Sequence, residues 1–167
     1  MRNIFTRREI GLGAAALAAL AAASYGGLRL KSARARSAET FEVSHTPEEW
    51  RKLLTPEQYA VLREQDTERP FTSQLNHEKR KGIFACAGCD LPLFNSETKF
   101  DSGTGWPSFY APIEGAVRSS MDYTFGVREE VHCRRCGGHL GHVFDDGPPP
   151  TGKRYCINGL ALKFVSA

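Results

Sequence analysis

The apolar positions of this chain follow three rules in succession. From 10 to 30 they run almost without a break, built of Ala, Gly and Leu with Arg29 as the one charge. After a polar stretch at 36–45, two short segments each open with Thr-Pro: Thr46-Pro47-Glu48-Glu49 and Thr55-Pro56-Glu57-Gln58. Each reads as a capping box with proline at the first helical position, where its missing N–H costs nothing. Trp50, Leu53 and Leu54 follow the first box, and Tyr59, Ala60 and Leu62 the second, at spacings that gather apolar side chains on one helical face. The pattern predicts a short helical hairpin. From Phe71 onward the helical period is gone. Runs at 82–85, 124–127 and 159–164 alternate or cluster as strands do, between Gly, Pro and Asp. Sixteen glycines and nine prolines suit a sheet with many tight turns better than a helical bundle. The fold class expected is therefore mainly β with a short helical N-terminal part. The Asp145-Asp146-Gly147-Pro148-Pro149-Pro150 segment is expected as a surface loop leading into the last strands.

The first apolar run is preceded by Thr6-Arg7-Arg8, and paired arginines ahead of a mild apolar stretch resemble a twin-arginine export signal. The stretch is long enough to span a membrane, but its Ala and Gly content makes it a weak span, and Ala33-Arg34-Ala35 offers a small-x-small cleavage site. Cleavage is favoured over a retained anchor on those two grounds. The organisation expected is a signal at 1–35, a linker at 36–45 and one domain at 46–167, exported to the periplasm and in contact with the membrane only in transit.

Removing the leader changes the meaning of the charge. The whole chain has a formal net charge of +3, but residues 36–167 carry sixteen Lys and Arg against eighteen Asp and Glu, a net −2. The working domain thus lacks the basic footprint of a nucleic-acid binder, and no nucleic acid is expected as a partner.

Five cysteines carry the candidate chemistry. Cys86 and Cys89 form one Cys-x-x-Cys pair, Cys133 and Cys136 another, and Cys156 stands alone in Arg154-Tyr155-Cys156-Ile157-Asn158. Two such pairs a domain's width apart supply four soft thiolates for a structural tetrahedral Zn²⁺ site, each pair on a tight turn. Gly88 and Gly137-Gly138 give those turns the freedom to aim amide N–H groups at sulfur. Two disulfides are the alternative in an oxidising compartment, and a redox-active pair is a third, although that would normally open a helix. Neither pair is followed by His, which removes covalent haem attachment. On a strand, Arg154, Cys156 and Asn158 would line one face, where a cation lowers a thiol's pKa. His139 and His142 add two imidazoles able to donate a proton.

Three segments in order, Gly103-Thr104-Gly105-Trp106-Pro107-Ser108-Phe109, His139-Leu140-Gly141-His142-Val143-Phe144-Asp145-Asp146-Gly147-Pro148 and Arg154-Tyr155-Cys156-Ile157-Asn158, closely resemble the signatures of the methionine-R-sulfoxide reductase B family. The similarity runs from about 46 to 164 and includes the two Cys-x-x-Cys pairs. It implies a zinc-bearing, tent-like β fold and oxidised methionine in proteins or peptides as substrate. It further implies attack by the Cys156 thiolate on the sulfoxide sulfur, leaving a sulfenic acid. By the same resemblance His142 is the proton donor, His139 and Asn158 orient the oxygen or its water, and Arg154 favours the thiolate. Trp106 would pack on the S-methyl group, with Phe144 completing that wall, while Phe109 reads as core packing. Many family members carry a second, resolving Cys where this chain has Thr104. With four cysteines given to metal none is left for that step, so a thioredoxin-like or other external thiol reductant is expected to recycle Cys156 directly. The rival reading from another class is a zinc-ribbon binding module on the same fold without catalysis. It would need neither Cys156 nor the Trp106 segment.

Overall fold

The structure, a computed structural model, describes residues 40–124 and 126–167. The expected leader at 1–35 lies outside them. Both capping boxes form: the Thr46 hydroxyl accepts from Glu49 N–H at 3.2 Å while Glu49 Oε2 accepts from Thr46 N–H at 2.8 Å, and Thr55 and Gln58 repeat the exchange. They start α1 (Pro47–Leu53) and α2 (Pro56–Glu64). Trp50, Leu54, Val61 and Leu62 are the buried residues of this hairpin. Leu53 departs from the expected face and is 61 % exposed, because α1 ends there after only two turns and nothing covers its last side chain.

Among the described residues nine strands follow: β1 (Gly82–Cys86), β2 (Pro92–Asn95), β3 (Lys99–Phe100), β4 (Ser108–Phe109), β5 (Val117–Asp122), β6 (Arg128–Cys133), β7 (His139–Phe144), β8 (Arg154–Ile157) and β9 (Leu162–Ser166). They form two antiparallel sheets, ordered β2-β1-β9 and β3-β4-β8-β7-β6-β5, so the mainly β class with a helical N-terminal part holds. Phe84 of β1, Phe94 of β2 and Phe109 of β4 join them. Phe94 stacks on Phe109 with ring centroids 4.3 Å apart, and Phe84 meets Phe109 edge-on at 5.0 Å. All three are fully buried, and each contributes about 1.5–3 kcal/mol of apolar transfer free energy. Phe109 is therefore core, as its sequence suggested.

Two strand expectations shift. The 124–127 segment is not a strand: Thr124, Gly126 and Val127 lie in the turn between β5 and β6, with Asp122 Oδ1 accepting from Thr124 N–H at 2.8 Å, and Phe125 is outside the described residues. Within 159–164, the first three residues make a 3₁₀ turn and only Leu162 opens β9. Of the polar stretch before α1, residues 41–43 lie against the second cysteine turn: Val43 N–H donates to Arg135 C=O, and Glu42 pairs with Arg134 and Arg135. Residues 145–150 form the expected loop.

Candidate active site and metal centre

The register of the larger sheet builds the site. β8 lies between β4 and β7, and Cys156 is paired with Ser108 on one side and His142 on the other. Glu130 of β6 opposes His142, and Ser120 of β5 opposes Glu130. Directly opposed residues in an antiparallel sheet project to the same face, so Ser108, Cys156, His142, Glu130 and Ser120 form one transverse row. Gly141 permits the close approach of β7 to β8: a Cβ there would sit 2.0 Å from the Cys156 carbonyl oxygen, which as backbone cannot move aside.

His139 and His142 are three residues apart, and on a regular strand they would face opposite ways. The pairing of β6 with β7 slips by one residue, since Val131 opposes Gly141 while His132 opposes His139. This bulge restores both imidazoles to one face, where their centroids are 5.4 Å apart. Each has its own carboxylate. His139 Nδ1 lies 2.8 Å from Glu130 Oε1, and His142 Nε2 lies 3.0 Å from Asp122 Oδ2.

The Asp122 carboxyl is pushed up by burial, but hydrogen bonds from Thr124, His142 and Arg128 outweigh this and hold it well below the usual carboxylate range. It is ionised at neutral pH, so the His142 proton sits on Nε2 and leaves Nδ1 as an acceptor. Burial also pulls the His142 imidazole below its ordinary value, with Arg128 and His139 adding to the pull and Asp122 opposing it. A neutral imidazole facing the cleft with its far nitrogen tied to a carboxylate can take a proton and return it.

Trp106, Phe144 and Gly141 line a cleft of about 120 Å³ together with Cys156, His142 and Asn158. A larger cavity of about 520 Å³ between α2 and residues 66–72 is lined by no cysteine or histidine, so size does not mark the chemistry here. The Arg154 charge favours the Cys156 thiolate, and burial opposes it. Burial pushes the Cys156 thiol up, and the Thr104 hydroxyl and the Arg154 charge recover only part of that. Arg154 is otherwise engaged, its guanidinium held by Asp146 through bonds of 2.8 and 2.9 Å and lying 4.4 Å over the Phe144 ring. Its geometry braces the apolar wall as much as it charges the thiol.

Asn158 is 3 % exposed, with Nδ2 donating to Leu140 C=O at 3.1 Å and Oδ1 accepting from Glu68 N–H at 3.0 Å. Glu68 was not marked by any sequence pattern, yet it ties three parts of the site together. Its carbonyl accepts from Trp106 Nε1 at 3.0 Å, its N–H holds Asn158, and its carboxylate caps the 3₁₀ turn through Gly159 and Leu160 N–H. Asp122 and Glu130 were equally invisible, because cross-strand partners cannot be paired from one sequence.

The four remaining cysteines converge. Cys86 Sγ is 3.7 Å from Cys136 Sγ, Cys89 Sγ is 3.5 Å from Cys133 Sγ, and all four sulfurs lie within 4.8 Å of one another. A disulfide needs about 2.05 Å. Four thiolates on metal–sulfur bonds of about 2.3 Å make a tetrahedron with edges of about 3.8 Å, close to what is observed. The N–H groups of Leu91 and Cys136 bond toward the Cys89 and Cys133 sulfurs, as thiolate ligands require. Each pair follows a strand and turns tightly, at Asp90 (φ 58°) and Gly137 (φ 67°), rather than opening a helix as a redox pair would. A Cβ on Gly137 would also strike the Phe41 ring at 2.4 Å.

Residues 54–166 match the SelR domain model. The chain belongs to the SelR family. Its SelR relatives include peptide methionine sulfoxide reductase MsrB of Pseudomonas putida strain W619, 60 % identical over 125 residues that cover 74 % of this chain and 94 % of the relative. The protein of the same name from Methanosarcina barkeri is 58 % identical over 124 residues, 73 % of this chain and 87 % of the relative. Peptide methionine sulfoxide reductase B1, chloroplastic, of Arabidopsis thaliana is 57 % identical over 117 residues, 69 % and 58 % respectively. The SelR match spans every residue of the row and all four cysteines that could hold a metal ion.

Proposed function

We infer that this protein reduces methionine-R-sulfoxide in proteins or peptides to methionine, and is an oxidoreductase. The observation that carries the reading is the pairing of Cys156 with His142 beneath the Trp106–Phe144 wall. A sulfoxide has a methyl group that prefers an apolar wall and an oxygen that needs a proton donor. In the mechanism, His142 Nδ1 accepts the Cys156 proton, with Asp122 stabilising the imidazolium. The thiolate attacks the sulfoxide sulfur, and the imidazolium returns the proton to the sulfoxide oxygen. The attack joins Cys156 to the substrate through an S–S bond; the protonated oxygen then passes to the Cys156 sulfur as the substrate S–O bond and that S–S bond both break, so methionine departs two electrons richer and Cys156 is left as S–OH. Two equivalents of an external thiol, or one thioredoxin-like dithiol, then regenerate the thiol with release of water and a disulfide. Thr104 facing Cys156 supports that external route, since a threonine cannot supply the second sulfur. Asn158 lines the cleft where the oxygen is handled, and His139, held by Glu130 outside that lining, acts through the neighbouring His142.

Zn²⁺ is the metal that four thiolates at tetrahedral spacing suit best, and Cys86, Cys89, Cys133 and Cys136 would hold it. Held there, it would tie β1 to β6 and would supply no chemistry to the reacting sulfur. Assembly of a nucleophile, base and apolar wall in one cleft favours the enzyme over a zinc-ribbon binding module.

The test is a single turnover of pre-reduced, zinc-loaded protein against separate R and S epimers of a methionine-sulfoxide peptide. We expect consumption of the R epimer alone, one sulfenic acid trapped by dimedone at Cys156, and multiple turnover only when external thiol is added. Consumption of the S epimer, or of neither, would overturn the assignment. A Cys156 disulfide within the chain would overturn the recycling route.

Residues 1–35 we read as a twin-arginine signal that delivers a folded, metal-loaded domain to the periplasm. Arg7 and Arg8 ahead of the apolar run support it. Replacing both with lysine should block export; undiminished export would remove the reading.

A further inference from the structure

Behind the Cys156 sulfur runs a file of hydroxyl groups. Thr104 Oγ1 is 3.9 Å from Cys156 Sγ, Ser102 Oγ is 2.8 Å from Thr104 Oγ1, and Ser108 Oγ is 2.7 Å from Ser102 Oγ. The file ends where Ser108 Oγ lies 3.1 Å from the Trp106 carbonyl oxygen. Each hydroxyl has one proton to give, and a carbonyl can only accept. Ser108 therefore donates to Trp106 C=O, Ser102 donates to Ser108, and Thr104 donates to Ser102. Thr104 is left presenting lone pairs to sulfur. In this polarity it can accept the S–H of a thiol, and it has no proton for a thiolate.

We propose that Thr104, Ser102 and Ser108 form a polarity switch that reads the charge on Cys156. With the thiol, the file runs from sulfur toward Trp106 C=O. With the thiolate it reverses: Thr104 donates to sulfur, Ser102 to Thr104 and Ser108 to Ser102, and the Trp106 carbonyl loses its bond. The reversal is collective, because two hydroxyl oxygens 2.8 Å apart with no proton between them repel. The downward pull of the Thr104 hydroxyl on the Cys156 thiol is available only in this second polarity. The file is not a proton wire, since it ends at a peptide carbonyl. The thiol proton leaves by His142, and only O–H directions change. Ser102 and Ser108 do not touch sulfur in the structure and are positioning residues; Ser108 is fully buried as the strand partner of Cys156. The charged and titratable groups around the sulfur are Arg154 from β8 with Asp146 behind it, His142 from β7 and Arg128 from β6. None of them belongs to the file.

The inference rests on Cys156 being the reactive thiol, but its test uses no sulfoxide. The rate of Cys156 alkylation by iodoacetamide is followed against pH in the zinc-loaded full chain, reading the Cys156 peptide by mass spectrometry. Thr104→Val removes the donor and should raise the apparent pKa, slowing alkylation on the acidic limb. Ser108→Ala frees the Ser102 proton to turn toward Thr104, and Ser102→Ala frees the Thr104 proton itself, so both should lower it and speed alkylation. Each change should be about five-fold, the worth of one ordinary hydrogen bond. Opposite signs for Thr104→Val and the two serine variants are the signature of a file with direction. If either serine variant is slower than or equal to the parent, or Thr104→Val is unchanged, the switch is wrong. Ser102 is half-buried, so its variant decides the matter should the buried Ser108→Ala fail to fold. Normal titration shifts in a protein that leaves both epimers untouched would keep the switch and remove the assigned reaction; the reverse result would do the opposite.

Discussion

Replacing Cys156 by serine should abolish turnover of methionine-R-sulfoxide while leaving the fold and its metal in place. A hydroxyl cannot take the sulfoxide oxygen as a stable S–OH, so the loss should be to background, at least about 10⁴-fold, as when a sole nucleophile is removed. Oxygen for sulfur is a small change of volume at a half-buried position, and Thr104 remains in reach as a hydrogen-bond partner. Cys156 takes no part in the four-sulfur cluster. The measurement is reductase activity alongside bound zinc and thermal midpoint. Full activity in this variant would dispose of the mechanism, and loss of zinc would mean that the reactive and structural cysteines are not independent.

The second large effect is expected from the metal. Cys86 ends β1 of the smaller sheet and Cys133 ends β6 of the larger, so an ion between the two pairs is a cross-link between sheets. Structural zinc held by thiolates contributes on the order of 10 kcal/mol, comparable to the whole stability of a typical domain. Removing it with a strong chelator, or replacing Cys133 by serine, should abolish cooperative thermal unfolding and take activity with it. Circular dichroism with metal analysis would measure this. A chelated protein melting within a few degrees of the parent would show that the aromatic contacts of Phe84, Phe94 and Phe109 hold the sheets unaided.

Much of this was legible in the sequence, and the reasons differ by residue. The capping boxes at Thr46 and Thr55 are local chemistry and formed as read. The Cys-x-x-Cys pairs were equally local, and their convergence needed only that two turns meet. Cys156, His142, Trp106 and Phe144 were marked by their neighbours along the chain and do line one cleft. What could not be read depends on distant partners. Asp122 and Glu130 acquire meaning only from strand register, and Glu68 only because residues 66–69 lie across the cleft. The strand expected at 124–127 failed because Val127 sits at a hairpin tip, where it is 71 % exposed. Arg154 does favour the thiolate; what a sequence cannot display is the burial of Cys156, which opposes that charge with the larger effect, and the Asp146 partner of the guanidinium.

The bulge in β7 bears on how such sites are recognised. Odd spacing along a strand ordinarily separates two side chains by the thickness of the sheet, so His-x-x-His in a β context would be discarded as a pair, or taken for a helical motif. One slipped residue at Leu140-Gly141 turns that spacing into adjacency. A search for paired groups on sheets that admits only even intervals will therefore overlook active sites of this kind, and a glycine between the two histidines is the mark that the rule is suspended.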